Sequence, residues 1–359
     1  MTATELTPPI APMLAKATTE IPVSTAAQGF LYEPKWDGFR CLLYVGDEVE
    51  VQGRSESLTR YFPEIVRAAS EQLPSPLVLD GELVVAQGAS LDFEVLSQRI
   101  HPAASRVNLL SEQTPAWFVA FDLLEDAAGV HLDAPFAERR VRLEATAASW
   151  QPPFFMTPAT ADVAEAREWF ETFEGAGMDG VMAKPVLDPY APGKRALTKV
   201  KHKRTADCVV AGYREHKSGP VVGSLLLGLF DDEGRLQHMG VCSSFTAARR
   251  AELVDELAPL VIDVEEHPWN AWAADEAGTR RPGMVNRWNA KKDMSFVPLR
   301  PERVVEVAYD QLQGNYRFRH NPRFVRWRPD RTPESCRLDQ LERPVSYDVG
   351  DVLRRGRPV

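Results

Sequence analysis

The sequence predicts an α+β domain of antiparallel sheets with flanking helices, followed by a small β-barrel domain. Three observations carry this. The chain has 359 residues, more than one domain usually holds. Up to Lys201, strand-like runs alternate with stretches of helical spacing. Beyond it come short strands broken by Gly, Asp and Ser turns, with one helix among them.

In order, residues 1–29 are rich in Pro, Ala and Thr and read as an irregular lead-in packed on the first domain. Apolar runs on either side of Asp37-Gly38 read as two strands joined by a tight turn, which puts Lys35 at a hairpin. Val49–Gln52 is a third strand, ending at Gly53-Arg54-Ser55. Tyr61 to Leu73 has helical spacing at Ile65, Ala68, Ala69 and Leu73 and stops before Pro74. Leu77–Val85 reads as strand, a second Asp-Gly, and strand. Phe93–Arg99 is a short helix, and the unbroken apolar run Trp117–Leu124 is a buried strand. An Arg-rich helix follows over Pro135–Ser149, another over Asp162–Glu174, then short strands at Asp179–Lys184 and Leu197–Lys201. In the second domain Cys208–Tyr213, Gly223–Phe230, Leu236–Val241 and Val304–Ala308 are strands, and Ala247–Leu257 is a helix. About five short strands in about 130 residues fit an OB-fold barrel. The expected boundaries are 1–202, 203–335 and a loosely packed tail, 336–359.

Hydrophobic content of 44% and charged content of 26% are those of a soluble globular protein. The N-terminus lacks a basic start and apolar run, and the greasiest stretch, Val221–Phe230, is too short to span a bilayer. No membrane partner is expected. Four scattered cysteines, without metal-ligand spacing, fit a reducing cytoplasm. The net charge of −9 hides a gradient: between Arg280 and Arg331 there are thirteen Lys/Arg against five Asp/Glu. A basic region on an acidic protein points to a polyanion-binding face.

Several polar residues stand where a purely structural core would not put them. Glu82 lies within an apolar pair of strands, and Lys184, Lys199 and Lys201 punctuate apolar strands, the last two on one face. Burying cations is costly unless an anion meets them, so with Lys35 they describe a phosphate-binding cleft. Glu82 and Asp179 then serve a ribose hydroxyl or a Mg²⁺ held against phosphates. Gly175-Ala176-Gly177-Met178-Asp179-Gly180 spells G-x-G-x-x-G, but a helix precedes it and a strand follows, the reverse of the dinucleotide-binding context. The histidines show no zinc-hydrolase spacing.

Taken in order, Lys35-x-Asp37-Gly38-x-Arg40, Gly53-Arg54-Ser55, Asp80-Gly81-Glu82, Phe121-Asp122-Leu123-Leu124, Asp179-Gly180-Val181-Met182-Ala183-Lys184 and Lys199-x-Lys201 resemble the motifs of the covalent nucleotidyltransferases. Arg326-Trp327-Arg328-Pro329-Asp330-Arg331 resembles the motif that ends the OB domain in DNA ligases and capping enzymes. The resemblance covers about residues 30–331 and is strongest to small bacterial ATP-dependent DNA ligases. It implies a nucleotidyltransferase (ATP-grasp-like) domain followed by an OB-fold domain.

By this resemblance Lys35 attacks the α-phosphate of ATP and carries AMP. Glu33 reads the adenine amino group, Phe121 stacks on the base, Arg40 and Glu82 meet the ribose, and Arg54 lies near the sugar or the DNA 5′-phosphate. Lys184, Lys199 and Lys201 belong to the nucleotide site, the last two on the α-phosphate. Asp179, where the family usually has Glu, and Glu82 hold Mg²⁺ (or Mn²⁺). Arg328, Asp330 and Arg331 cover the pyrophosphate. The implied partner is nicked double-stranded DNA. Read from the residues alone, Arg280, Arg281, Arg287, Lys291 and Lys292, interleaved with Trp269, Trp272 and Trp288, are either an insertion that binds DNA phosphates or ordinary packing of a helix and its loop. A monomer in the cytoplasm, nucleoid-associated when on DNA, is expected, with a repair polymerase as candidate partner. The rival readings are an RNA ligase or capping-type guanylyltransferase, and a non-catalytic OB-fold protein that binds nucleic acid.

Overall fold

The computed structural model describes residues 2–271, 295–313, 317–342 and 344–356. The chain forms two units, Met1–Lys201 with Pro344–Val359, and His202–Arg343.

The first unit contains strands β1 (Leu14–Thr18), β2 (Phe30–Pro34), β3 (Phe39–Val45), β4 (Val49–Gly53), β5 (Leu77–Val84), β6 (Trp117–Asp126), β7 (Phe154–Met156), β8 (Val181–Pro185) and β9 (Arg195–Val200). One sheet runs β1-β9-β8-β2, with β1 parallel to β9 and the other pairs antiparallel. The larger sheet runs β7-β6-β5-β3-β4, antiparallel except for β7 beside β6. In β3, Cys41, Leu43 and Val45 enter one core with Ile65 and Ala69 of helix α1 (Pro63–Gln72). Leu42 and Tyr44 enter another core on the opposite face with Leu124 and Leu197. Burial on both faces is why these strands read as unbroken apolar runs.

The structure changes three expectations here. Lys35 is not on a hairpin: β2 and β3 belong to different sheets, and residues 35–38 cross between them. The Lys35 N–H donates to the Gly180 carbonyl at 2.8 Å and the Asp179 N–H donates to the Lys35 carbonyl at 2.7 Å, so the crossing is bonded to the chain entering β8. Secondly, Asp80-Gly81 is no turn. Both residues stay paired to β3 inside one continuous strand, Leu42 with Asp80 and Cys41 with Gly81. Thirdly, the lead-in is not wholly irregular, because β1 forms the edge of the smaller sheet. An unexpected helix, α2 (Ala104–Gln113), buries only Val107 and Leu110, too thin a stripe to signal itself. Helices α3 (Phe136–Ala147) and α4 (Val163–Thr172) lie within the expected spans.

The second unit is a five-stranded antiparallel sheet of β10 (Arg204–His216), β11 (Gly219–Phe230), β12 (Leu236–Cys242), β13 (Val297–Tyr309) and β14 (Arg323–Trp327), in the order β12-β11-β10-β13-β14. Register shifts interrupt every pairing, and such bulges bend and twist strands into the curl of an OB-type sheet. Helix α5 (Ala247–Leu257) is capped by the Thr246 hydroxyl and buries Leu253 and Leu257 in the same core. All four cysteines are free thiols and buried, three of them in this unit.

The expected loose tail is also corrected. Residues 344–356 belong to the first unit, and helix α6 (Val349–Arg355) buries Val349, Val352 and Leu353 against it. Their spacing places all three on one helical face, and the Asp348 carboxylate caps the helix by accepting from the Gly350 N–H.

Candidate active site around Lys35

The crossing places Lys35 opposite the start of β8. Its Nζ lies 2.6 Å from Asp179 Oδ2, and Lys201 Nζ, just past β9, reaches the same oxygen at 2.6 Å. Burial alone would raise the Asp179 carboxyl, but the two ammoniums overcome it and hold the group below the usual carboxylate range. Lys199 is pushed down from the ordinary lysine value, first by burial and then by Lys201 and Lys35. Two cations thus share one ionised carboxylate with a third, Lys199, close enough to feel all of them, and the excess positive charge suits an anion.

The opposite wall comes from the larger sheet. Arg40 on β3 and Glu82 on β5 are directly paired positions. Arg40 makes two bonds to the fully buried Asp80, Nε to Oδ1 at 2.7 Å and Nη2 to Oδ2 at 2.6 Å. The Tyr190 hydroxyl donates to the same carboxylate at 2.6 Å. Glu82 Oε1 accepts from the Gly38 N–H at 3.2 Å. Burial is the largest influence on Glu82 and exceeds the opposing pull of Lys35 and Arg40, so its carboxyl is raised to about 7. Phe121 owes its place to a bulge. Gly81 pairs with Ala120 and Asp80 with Asp122, which leaves Phe121 as the extra residue of β6. A bulge re-aims a side chain that regular pleating would have fixed. Arg40 and Lys184 both stand against the Phe121 ring, 4.7 and 4.6 Å from its centre.

A buried ionic cluster forms beside Phe121. Lys184 Nζ pairs with Glu33 Oε2 at 2.7 Å and donates to the Phe121 carbonyl at 2.8 Å. Arg140 of α3 approaches Glu33 Oε1 at 3.5 Å, and neither that oxygen nor Arg140 Nη1 has a hydrogen-bond partner. Burial raises the Glu33 carboxyl despite Lys184 and Arg140. An unbonded carboxylate oxygen in an interior is costly, and an amino group donated by a ligand would satisfy it. Arg54 stands exposed on the turn after β4.

In the second unit Arg328 and Arg331 both approach Asp207, at 3.0 and 3.5 Å, and Arg328 also pairs with Asp330 at 2.7 Å. The hydrogen bond from Arg328 dominates in lowering the Asp330 carboxyl to about 2. Arg280, Arg281, Arg287, Lys291 and Lys292 lie outside the described residues. Among the described residues no three or more His, Cys, Asp or Glu side chains gather to hold a metal, and no helix is long and apolar enough to cross a membrane.

Family models described as "ATP dependent DNA ligase domain" and "ATP dependent DNA ligase C terminal region" match residues 12–201 and 218–331. DNA ligase C of Mycobacterium tuberculosis is 52% identical over 96% of this chain and 97% of its own length. DNA ligase C2 of Mycolicibacterium smegmatis is 55% identical over 94% of this chain and 95% of its own. The chain belongs to the ATP-dependent DNA ligases. Among solved structures, a Lig E DNA ligase shares the fold, with a TM-score of 0.52 and 19% identity over 89% of this chain and 100% of that one. Neither the RNA-ligase or capping reading nor the non-catalytic reading is favoured.

The structure adds residues to the candidate site that the motifs did not name. Tyr190 fixes Asp80, and Arg140 faces Glu33. Arg140 was within reach of the sequence. It falls with Arg139 on the face set by Phe136, Leu143 and Ala147, which is the buried face of α3. Tyr190 gave no signal, since it follows Asp-Pro in a loop and its partner is 110 residues away.

Proposed function

We propose that Lys35 is the nucleophile of this ligase, and that the enzyme seals 5′-phosphate/3′-hydroxyl nicks in duplex DNA as a monomer, in DNA repair. The observation that carries this reading is the pair of lysines on one Asp179 oxygen, each at 2.6 Å. Asp179 is ionised at neutral pH and aims the Lys35 side chain. Once deprotonated, the amine attacks the α-phosphorus of ATP; the N–P bond forms as the bridging P–O bond breaks and pyrophosphate leaves. Lys199 and Lys201 neutralise the α-phosphate, Glu33 and Phe121 hold adenine, and Arg40 and Glu82 meet the ribose. Arg328 and Arg331, now sharing Asp207, exchange that carboxylate for the pyrophosphate, with Asp330 keeping Arg328 aligned. AMP then passes to the DNA 5′-phosphate, and the 3′-hydroxyl displaces it. Positioning and charge neutralisation supply most of the rate in such transfers.

Asp179 and Glu82 fit Mg²⁺, which is commonly held by one or two carboxylates plus phosphate oxygens and water. Glu82, carrying a proton to about pH 7, gains a reason to ionise beside a cation. The ion would supply further neutralisation of phosphate charge.

The test uses α-labelled ATP with Mg²⁺, wild type beside Lys35→Ala, followed by sealing of a nicked duplex. Label on the wild type alone, with sealing by the wild type alone, is expected; equal label on the variant sinks the reading. Arg280, Arg281, Arg287, Lys291 and Lys292 are proposed to hold DNA phosphates. Neutralising the three arginines should then reduce the slope of log affinity against log salt by up to about 3; an unchanged slope refutes that assignment.

A further inference from the structure

We infer that the returning segment 344–356 is a positioning element for the reacting lysine, with Tyr347 acting through Phe173 and Gly175 on the residues that place Asp179 against Lys35. This rests on the reading of Lys35 as nucleophile.

The chain of contact is continuous within the first unit. The Tyr347 ring packs on Phe173, with centres 5.1 Å apart, and Phe173 in turn stacks on Trp169 of α4 at 5.5 Å. Gly175 has no room for a side chain, since a Cβ there would overlap the Val345 carbonyl oxygen and sit 2.8 Å from Tyr347 N. The Val349 N–H donates to the Ala89 carbonyl at 2.7 Å, and Arg355 covers the other end of the same surface, its guanidinium 5.6 Å from the Phe173 ring centre. The segment therefore clasps the stretch from Phe173 to Gly175.

Those residues lead directly to Asp179. The Met178 N–H donates to the Phe173 carbonyl at 3.2 Å and the Gly177 N–H to the Glu174 carbonyl at 2.9 Å, so the turn feeding Asp179 is bonded to the clasped stretch. Met178, before Asp179, and Trp36, after Lys35, share one buried cluster with Val349, Val352 and Leu353. The backbones of Lys35 and of Asp179-Gly180 are tied to each other on the inner side. The turn that feeds Asp179 is thus backed by the returning segment, while Asp179 itself is bonded to the Lys35 crossing. Near-ångström misplacement at such a site costs about a hundredfold in rate.

The adenine side depends on other supports, the Glu33–Lys184 pair and Arg140. Loosening the clasp should accordingly slow the chemistry and spare ATP binding. Full-length wild type, Tyr347→Ala, Tyr347→Phe and Gly175→Ala are compared in single-turnover formation of the Lys35–AMP bond across ATP concentrations, well below each variant's unfolding midpoint. Tyr347→Ala and Gly175→Ala should lower the maximal rate by at least about tenfold, with half-saturating ATP changed less than about twofold, and Tyr347→Phe, which keeps the ring on Phe173, should restore it. Full-rate labelling of Tyr347→Ala, a loss carried by weaker ATP binding, or failure of the phenylalanine to rescue would overturn the inference alone. Absence of label at Lys35 in the wild type would overturn the nucleophile assignment and this inference with it.

Discussion

Glu82 carries a titration that the fold itself imposes. Burial raises its carboxyl to about 7 from an ordinary value of 4.5, against the pull of Lys35 and Arg40. The folded state therefore binds this proton more tightly than the unfolded chain does. The resulting stabilisation is complete below pH 4.5 and is lost as pH rises through 7. Glu82→Gln, which cannot ionise, should gain stability relative to wild type over that window, read as a growing difference in unfolding midpoint from pH 5 to 8. A difference that stays flat would show that the raised carboxyl is not present. The site lysines and carboxylates were readable from sequence because charged residues at strand ends in apolar surroundings need partners. Their pairing was not, because Asp179 meets Lys35 from 144 positions along the chain.

Local turn chemistry is the same whether two strands pair with each other or part, and the Lys35 stretch is a case of parting. Asp37-Gly38 looks like a hairpin turn, yet the partner of β2 is β8 and the partners of β3 are β4 and β5. What the glycine provides is room: a Cβ on Gly38 would overlap the Leu83 carbonyl oxygen. Gly38→Ala should therefore destabilise the first unit by about 1–3 kcal/mol through overpacking, seen as a lower urea midpoint; a midpoint equal to that of wild type would place slack where the structure has none. Element type and order were legible because apolar periodicity is local. The Phe121 bulge was not, since an extra residue in β6 exists only relative to β5. For α6 the apolar spacing and its Asp348 cap were written in the sequence, but the surface it docks on was not.

Across the whole molecule, the chain leaves the first unit after Lys201, builds the second, and returns at Pro344. Removing residues 344–356 takes Val349, Val352 and Leu353 from the core around Trp169 and Phe173. Burial of such a side chain stabilises by about 1.5–3 kcal/mol. The truncated protein should unfold its first unit at lower temperature while the second, whose core contains none of these residues, keeps its transition. Equal lowering of both, or of neither, would refute the assignment of the segment to one core. The same topology bears on synthesis. Residues 344–356 leave the ribosome only after the entire second unit, so a nascent chain cannot complete the surface behind Asp179 while the barrel is still being translated. With elongation at about 5–20 residues per second, that delay is on the order of ten seconds or more, during which the nascent enzyme holds its lysine but not yet its full support.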